Sequence, residues 1–136
     1  AGGAVLALDG GNGDDILVSG NGQDTLTGSA GNDVVNVSKG NDTVNYTSTL
    51  DGHDVVTGFD GNASGGQDTL NLDTLFDGLG VAAIDRAARV SIVDHGATVD
   101  VNVDADGNAG NGFELTVATL KTVDKITVGE DVLLGS

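Results

Sequence analysis

Between Gly10 and Asn45 an aliphatic residue returns at every ninth position, at Leu17, Leu26, Val35 and Val44. Two places before each stands an aspartate (Asp15, Asp24, Asp33, Asp42), and two places before that a glycine (Gly13, Gly22, Gly31, Gly40). Side chains alternate along an extended backbone, so each unit predicts a very short strand with only its aliphatic position facing inward. The glycine supplies the tight turn before it. Alternate units then form two sheets, with Leu17 stacked on Val35 in one and Leu26 on Val44 in the other. Strands in a sheet lie roughly 4.8 Å apart, so this winding also brings Asp15 beside Asp33 and Asp24 beside Asp42.

The nine-residue phase breaks after Val44. Strand signals return at Asp54-Val55-Val56 and at Asp68-Thr69-Leu70, read as two more edges of the same winding with widened loops. Ala1 to Asp9 holds one degenerate strand, with Val5, Leu6 and Leu8. Residues 72–79 (LDTLFDGL) have helical spacing, with Asp73 as the expected N-cap and Gly78 or Gly80 as the stop. Ala82 to Ala88 fits either a second short helix or a turn. From Arg89 the period changes to two, through Val90 and Ile92, then Val99, Val101 and Val103, then Phe113, Leu115 and Val117, which predicts an antiparallel meander. Ile126, Val128 and Val132 to Leu134 supply a last strand or two. The fold class is therefore all-β: a parallel roll over residues 1–72, then a short helix and an antiparallel β cap over 73–136, packed on the roll as one continuous unit.

Charge changes this picture most. The chain of 136 residues carries 5 basic and 21 acidic side chains, a formal net charge of −16, and no cysteine. That balance argues against nucleic acid or an anionic membrane as partner and makes divalent cations the natural counterions. Two carboxylates about 4 Å apart repel by roughly 4 kcal/mol at an effective dielectric near 20. A handful of aliphatic side chains buries too little to oppose several such terms. A cation between the turns is the remedy, and calcium, which takes about 6 to 8 oxygen ligands in irregular geometry, fits better than magnesium. Extracellular calcium modules bind at roughly 0.1 to 1 mM, and a tenfold excess adds about 1.4 kcal/mol per site. Without disulfides the metal is the remaining staple, and the metal-free chain is expected to be marginal or disordered. In the widened loops Asp51, Asp54, Asp60, Asn62 and Asp68 are candidates for one further calcium ion, against the alternative of a solvated acidic loop. The loop from Asp104 to Gly112, with oxygen-bearing side chains at Asp104, Asp106 and Asn108, begins like an EF-hand, but Gly110 and Glu114 are misplaced, so it reads as a polar turn, with a β-hairpin calcium loop as the alternative.

No HExxH or GxSxG motif occurs, and His53 and His95 sit in polar loops, so the chain is expected to be non-catalytic. No run resembles a transmembrane helix, and the start AGGAVLALDGG lacks the charged and apolar regions of a signal peptide, so export would use another address. Thr25, Thr27, Thr43, Asn36 and Asn45 point outward and would form a binding face, but Ile16, Val18 and Val34 would interrupt it.

The units from Gly10 to Asn45 follow G-G-x-G-x-D-x-U-x, and in this they resemble RTX proteins, the hemolysin-type calcium-binding repeat family. The later run from DGHDVVTGF through GQDTLNLDTLF to VGEDVLLGS resembles the C-terminal secretion-target region of large RTX adhesins. The resemblance implies a secreted or cell-surface, monomeric chain without membrane insertion. It also implies transient passage through a type I secretion ABC transporter, an uncleaved C-terminal export signal, and several calcium ions bound after export. Carried over, the family pattern places one set of ligands on Asp15 and Asp33 with the carbonyls of Gly10, Gly11, Asn12, Gly13, Gly28, Ala30 and Gly31. A second set falls on Asp24 and Asp42 with those of Gly20, Asn21, Gly22, Lys39 and Gly40. Ser19, Ser29, Val37 and Ser38 replace pattern glycines and Lys39 adds a cation, so the Asp15/Asp33 site follows the pattern better. A ligand-binding module for sugar, ice or protein, or the tail of a secreted enzyme, are the other readings.

Overall fold

The computed structural model describes residues 5–37, 40–48, 51–59, 68–107, 115–121 and 132–135. The strands of the winding are β1 (Ala7–Asp9), β2 (Ile16–Val18), β3 (Thr25–Thr27), β4 (Val34–Asn36), β5 (Thr43–Asn45), β6 (Asp54–Thr57) and β7 (Thr69–Asn71). Helices α1 (Asp73–Leu79) and α2 (Ala83–Arg86) and a 3-10 turn (Ala87–Arg89) follow. They lead to β8 (Val90–Asp94), β9 (Val99–Val103), β10 (Leu115–Lys121) and β11 (Val132–Leu133).

Odd and even strands separate as the nine-residue phase requires. The first sheet runs β1-β3-β5-β7-β11 and the second β2-β4-β6-β10-β9-β8. Pairing is parallel throughout the first sheet and as far as β10 in the second, then antiparallel through β9 and β8. This is a parallel β-roll. Inward residues stack in register: Leu8, Leu26, Val44, Leu70 and Val132 along one sheet, and Leu17, Val35, Val56, Leu120 and Val99 along the other. Apart from Leu8, which is partly buried, all of these belong to the buried core. The meander closes the second sheet through β10, which lies parallel to β6 with Leu120 opposite Val56. Ordering β10 therefore extends the roll's own hydrogen-bond ladder rather than adding a separate layer.

Several expectations change. Asp73 is the first residue of α1 and not its N-cap; Leu72 holds that place without a side-chain cap. The Asp73 carboxylate instead pairs with Arg86. Gly80, in a left-handed conformation with its N–H on the Asp77 carbonyl, ends the helix, and Gly78 lies inside it. Ala83–Arg86 is helical. The outward residues also sort by sheet. Thr25, Thr43 and Thr69 form one ladder and Thr27, Asn45 and Asn71 another on the first sheet, whereas Ile16, Val18, Val34 and Asn36 all lie on the second. The apolar residues thus do not interrupt the Thr/Asn face, because even and odd units turn their outer sides in opposite directions. Val5, exposed, and Leu6, at the limit of exposure, precede β1 rather than forming it. The loop candidates Asp60 and Asn62, the strand signals at Phe113, Ile126 and Val128, and the positions of Ser38 and Lys39 lie outside the described residues.

Candidate metal centre

Each turn of the roll hands a carboxylate to the backbone of the turn before it. The Asp15 N–H donates to Asp33 Oδ1 at 2.7 Å and the Asp33 N–H to Asp54 Oδ1 at 2.8 Å. On the other edge the Leu6 N–H donates to Asp24 Oδ1 at 2.8 Å, Asp24 N–H to Asp42 Oδ1 at 2.9 Å, and Asp42 N–H to Asp68 Oδ1 at 2.9 Å. Two columns of acids result, Asp15-Asp33-Asp54 and Asp24-Asp42-Asp68. All but Asp15 are fully buried. The pairings expected from the repeat, Asp15 with Asp33 and Asp24 with Asp42, are in place.

The columns differ in their second carboxylate oxygens. Asp24 Oδ2 accepts the Gly20 N–H at 2.9 Å, and Asp42 Oδ2 accepts the Ser19 hydroxyl at 3.3 Å. Asp15 Oδ2 and Asp33 Oδ2 are buried and have no hydrogen-bond partner. A buried carboxylate oxygen without a donor is costly. The turns around these orphans are shaped for something small. A methyl group added to Gly10 would lie 2.8 Å from Asp15 Oδ2 and 2.8 Å from the Gly28 carbonyl oxygen, and one added to Gly28 would strike Asp33 Oδ2. Among the described residues no three acidic or histidine side chains converge on one point. A cation here would take one or two carboxylate oxygens and complete its shell from backbone carbonyls, a donor set of hard oxygens that suits calcium.

Electrostatics agree. Burial, opposed by the Asp15 N–H and reinforced by the charges of Asp15, Asp14 and Asp51, raises the Asp33 carboxyl above its usual range. Burial likewise raises Asp42, against the Asp24 N–H bond, with the charge of Asp24 adding and the Ser19 hydroxyl opposing. Asp54 is pushed up to about 7, chiefly by burial. Ionisation that the fold opposes is what a neighbouring cation relieves.

Of the candidates for a further site in the widened loops, the described ones, Asp51, Asp54 and Asp68, do not assemble as one group. Asp54 stacks behind Asp33 and Asp68 behind Asp42, so they prolong two different columns. Asp54 opens β6 in the second sheet and Asp68 immediately precedes β7 in the first, which separates these two acids. Asp51 instead folds its own turn, its Oδ2 accepting the N–H groups of Thr47 and Ser48 at 2.7 and 3.2 Å. Of the carbonyl candidates, Gly28 approaches the Asp15 site, while the Ala30 carbonyl accepts the Gly13 N–H at 2.7 Å. Gly13, Gly22 and Gly31 stack their carbonyls on the next turn, against Gly31, Gly40 and Gly52. Gly11 and Asn12 are at the rim, where the Gly11 N–H donates to Asp9 Oδ1 at 3.0 Å. Gly20 is engaged through its N–H, and Asn21 is exposed at the opposite rim.

Sequence reading missed three contributors. Ser19, one of the glycine replacements, supplies the donor that quenches Asp42. Ser29, another, occupies the left-handed region at φ 72 and donates its hydroxyl to Asp9 at 2.8 Å. Tyr46 stands eighteen positions after Gly28, where the pattern has glycine, and its buried hydroxyl has no partner of good geometry. Burial first, and then the charge of Asp54, raise that phenol well above its ordinary value. A second ladder at the fifth position of the units was also legible but unread: Asn32 N–H donates to Asp14 Oδ1 at 2.8 Å and His53 N–H to Asn32 Oδ1 at 3.0 Å.

The two histidines line the outer face of the second sheet. His53 Nε2 lies 2.7 Å from Thr119 Oγ1, Thr119 donates to Asp100 Oδ1 at 2.7 Å, and His95 Nε2 lies 3.0 Å from Asp100 Oδ2. The Thr119 bond, more than the His95 contact, holds the Asp100 carboxyl below its usual range. In the loop after β9, Asp104 Oδ1 accepts the Gly107 N–H at 2.7 Å, closing a turn on itself.

A family model described as the RTX calcium-binding nonapeptide repeat, in four copies, matches residues 9–44. Among solved structures, the solution structure of a subunit of the mannuronan C5-epimerase from Azotobacter vinelandii is similar, at 24% identity over 98% of this chain and 89% of that chain, with a TM-score of 0.32. No curated protein matches the chain. Residues 9–44 are thus calcium-binding nonapeptide repeats of the kind typical of secreted proteins. Among the described residues no helix is long and apolar enough to cross a membrane.

Proposed function

We propose that the chain is a non-catalytic, calcium-dependent folding and export module of a large RTX adhesin, delivered to the cell surface or medium through a type I secretion ABC transporter. The observation that carries this reading is the pair of buried, partnerless oxygens on Asp15 and Asp33, in a chain of net charge −16. Such a fold is poor without a cation and good with one. Bound calcium supplies positive charge between facing carboxylates. The acidic side chains, left unbalanced where calcium is scarce, keep the chain extended enough to thread a channel. Once the columns close, the strands on either side are fixed and the chain does not return.

The export address is assigned to Thr127 to Ser136. Deleting these residues is expected to reduce secretion by more than about tenfold while leaving synthesis unchanged, measured as the ratio of medium to cell-associated protein. Undiminished secretion would remove the address from this segment. A second reading is favoured by the uninterrupted Thr/Asn face of the first sheet: the calcium-loaded roll holds a polyhydroxylated ligand there. Reproducible binding in a glycan or ice assay supports it.

A further inference from the structure

Arg86 is only 4% exposed, an unusual place for one of the five basic residues of so acidic a chain. Its Nε donates to the Val81 carbonyl at 2.9 Å, and Nη2 to Asp77 Oδ1 at 2.6 Å. Nη1 donates both to Asp73 Oδ1 at 2.7 Å and to the Leu134 carbonyl at 2.6 Å. The guanidinium also lies 5.7 Å from the centre of the Phe76 ring. Asp73 and Asp77 are one helical turn apart on α1, so a planar fork reaches both at once.

The bond to Leu134 ties in a segment remote in sequence. Just before it, β11 lies parallel to β7 with Val132 opposite Leu70, and the Leu72 N–H donates to the Leu133 carbonyl at 2.8 Å. The Val132 side chain is fully buried. Gly135 packs onto the ion pair: a methyl group there would strike Asp73 Oδ1 and lie 2.8 Å from Arg86 Nη1. The receiving strand β7 begins one residue after Asp68, the last acid of its column. Segment 132–135 therefore has a seat only when that column has been built.

We infer that Arg86 is a latch that withdraws residues 132–135 once the roll has formed, so that a partner reading this segment as an extended peptide engages it only before folding. A peptide strand recognised through its main chain must offer free N–H and C=O groups. Here Leu72 and Arg86 take the Leu133 and Leu134 carbonyls, and pairing with β7 covers the edge of the strand that faces the roll. The inference rests on the assignment of the export address to the same end of the sequence, and it turns folding into release: closing the latch ends recognition.

Hydrogen exchange of the whole chain in calcium tests the latch without reference to export. In the parent protein the amides of Val132 to Leu134 should be protected. In Arg86→Gln they should exchange on the order of a hundredfold faster, while Leu26, Val35 and Val44 keep their protection. Gly135→Val, which breaks the contact from the other side and leaves Arg86 in place, should do the same. Unchanged exchange at 132–134 in both variants, or an equal loss across the whole roll in both, would overturn the inference. Unchanged exchange together with lost secretion on deleting 127–136 removes the latch and keeps the export reading. Faster exchange together with undiminished secretion keeps the latch and removes that reading.

Discussion

Replacing Asp15 and Asp33 together by alanine is expected to raise the calcium concentration at which half the chain is folded by about tenfold or more. Two effects oppose each other. Alanine removes the repulsion between stacked carboxylates, which favours the metal-free fold. It also removes the oxygens that Asp15 and Asp33 leave without protein partners, and it strips the Asp15 N–H of its acceptor. An orphaned buried N–H costs about 1 to 3 kcal/mol, and losing a tenfold excess of bound ion costs roughly 1.4 kcal/mol per site. With calcium bound the ion already cancels that repulsion, so alanine relieves little in the loaded state while it loses the ion's oxygens and the N–H acceptor. A calcium titration followed by circular dichroism checks this. A midpoint that stays put or falls would mean that these acids burden the fold and hold no ion.

The second large effect is expected at Gly40. Its φ of +126° is open to glycine and strained for any other residue, and an added methyl group would fall inside the Gly22 carbonyl oxygen of the neighbouring turn. Backbone cannot swing aside as a side chain can. Gly40→Ala should cost at least about 3 kcal/mol in the calcium-loaded protein, from strain and from turns forced apart. Gly78→Ala is the control. Gly78 sits in α1 with open space around its α-carbon, so alanine there should be neutral or stabilise by up to about 1 kcal/mol. Thermal melting of both variants in calcium compares them. Equal stability would show that the turns do not press on one another as the stacked carbonyls indicate.

These two predictions mark where the sequence was transparent. Gly40 and Gly31, Asp15 and Asp33, Leu26 and Val44 repeat with a fixed period, and a fixed period in a winding chain translates directly into which residue stacks on which. The assignment of strands to two sheets followed from it. What lay outside the period was opaque for identifiable reasons. Asp54 and Asp68 stand 21 and 26 residues from their partners Asp33 and Asp42, because loops of unequal length intervene, and composition alone grouped them as one site. The Arg86 latch joins residues up to 48 apart, and no local pattern announces such a contact. Ser19 stands as a departure from the glycine rule, yet it supplies the hydroxyl that satisfies Asp42, and Tyr46, which the repeat does not single out, fills space beside Asp54. The Thr/Asn ladder is hidden in the linear sequence because residues of successive units, neighbours along the chain, belong to different sheets. In a roll, adjacent units face opposite ways.

The account stands on the claim that a cation between acidic turns supplies stability that the single aliphatic residue of each nonapeptide turn does not. Far-UV circular dichroism with a thermal ramp, run once in millimolar calcium and once in excess chelator, is the most direct measurement of it. A β-type spectrum with a cooperative transition in calcium, and a disordered spectrum without a transition in chelator, is the predicted result. The same folded spectrum and the same melting temperature in both would contradict the claim.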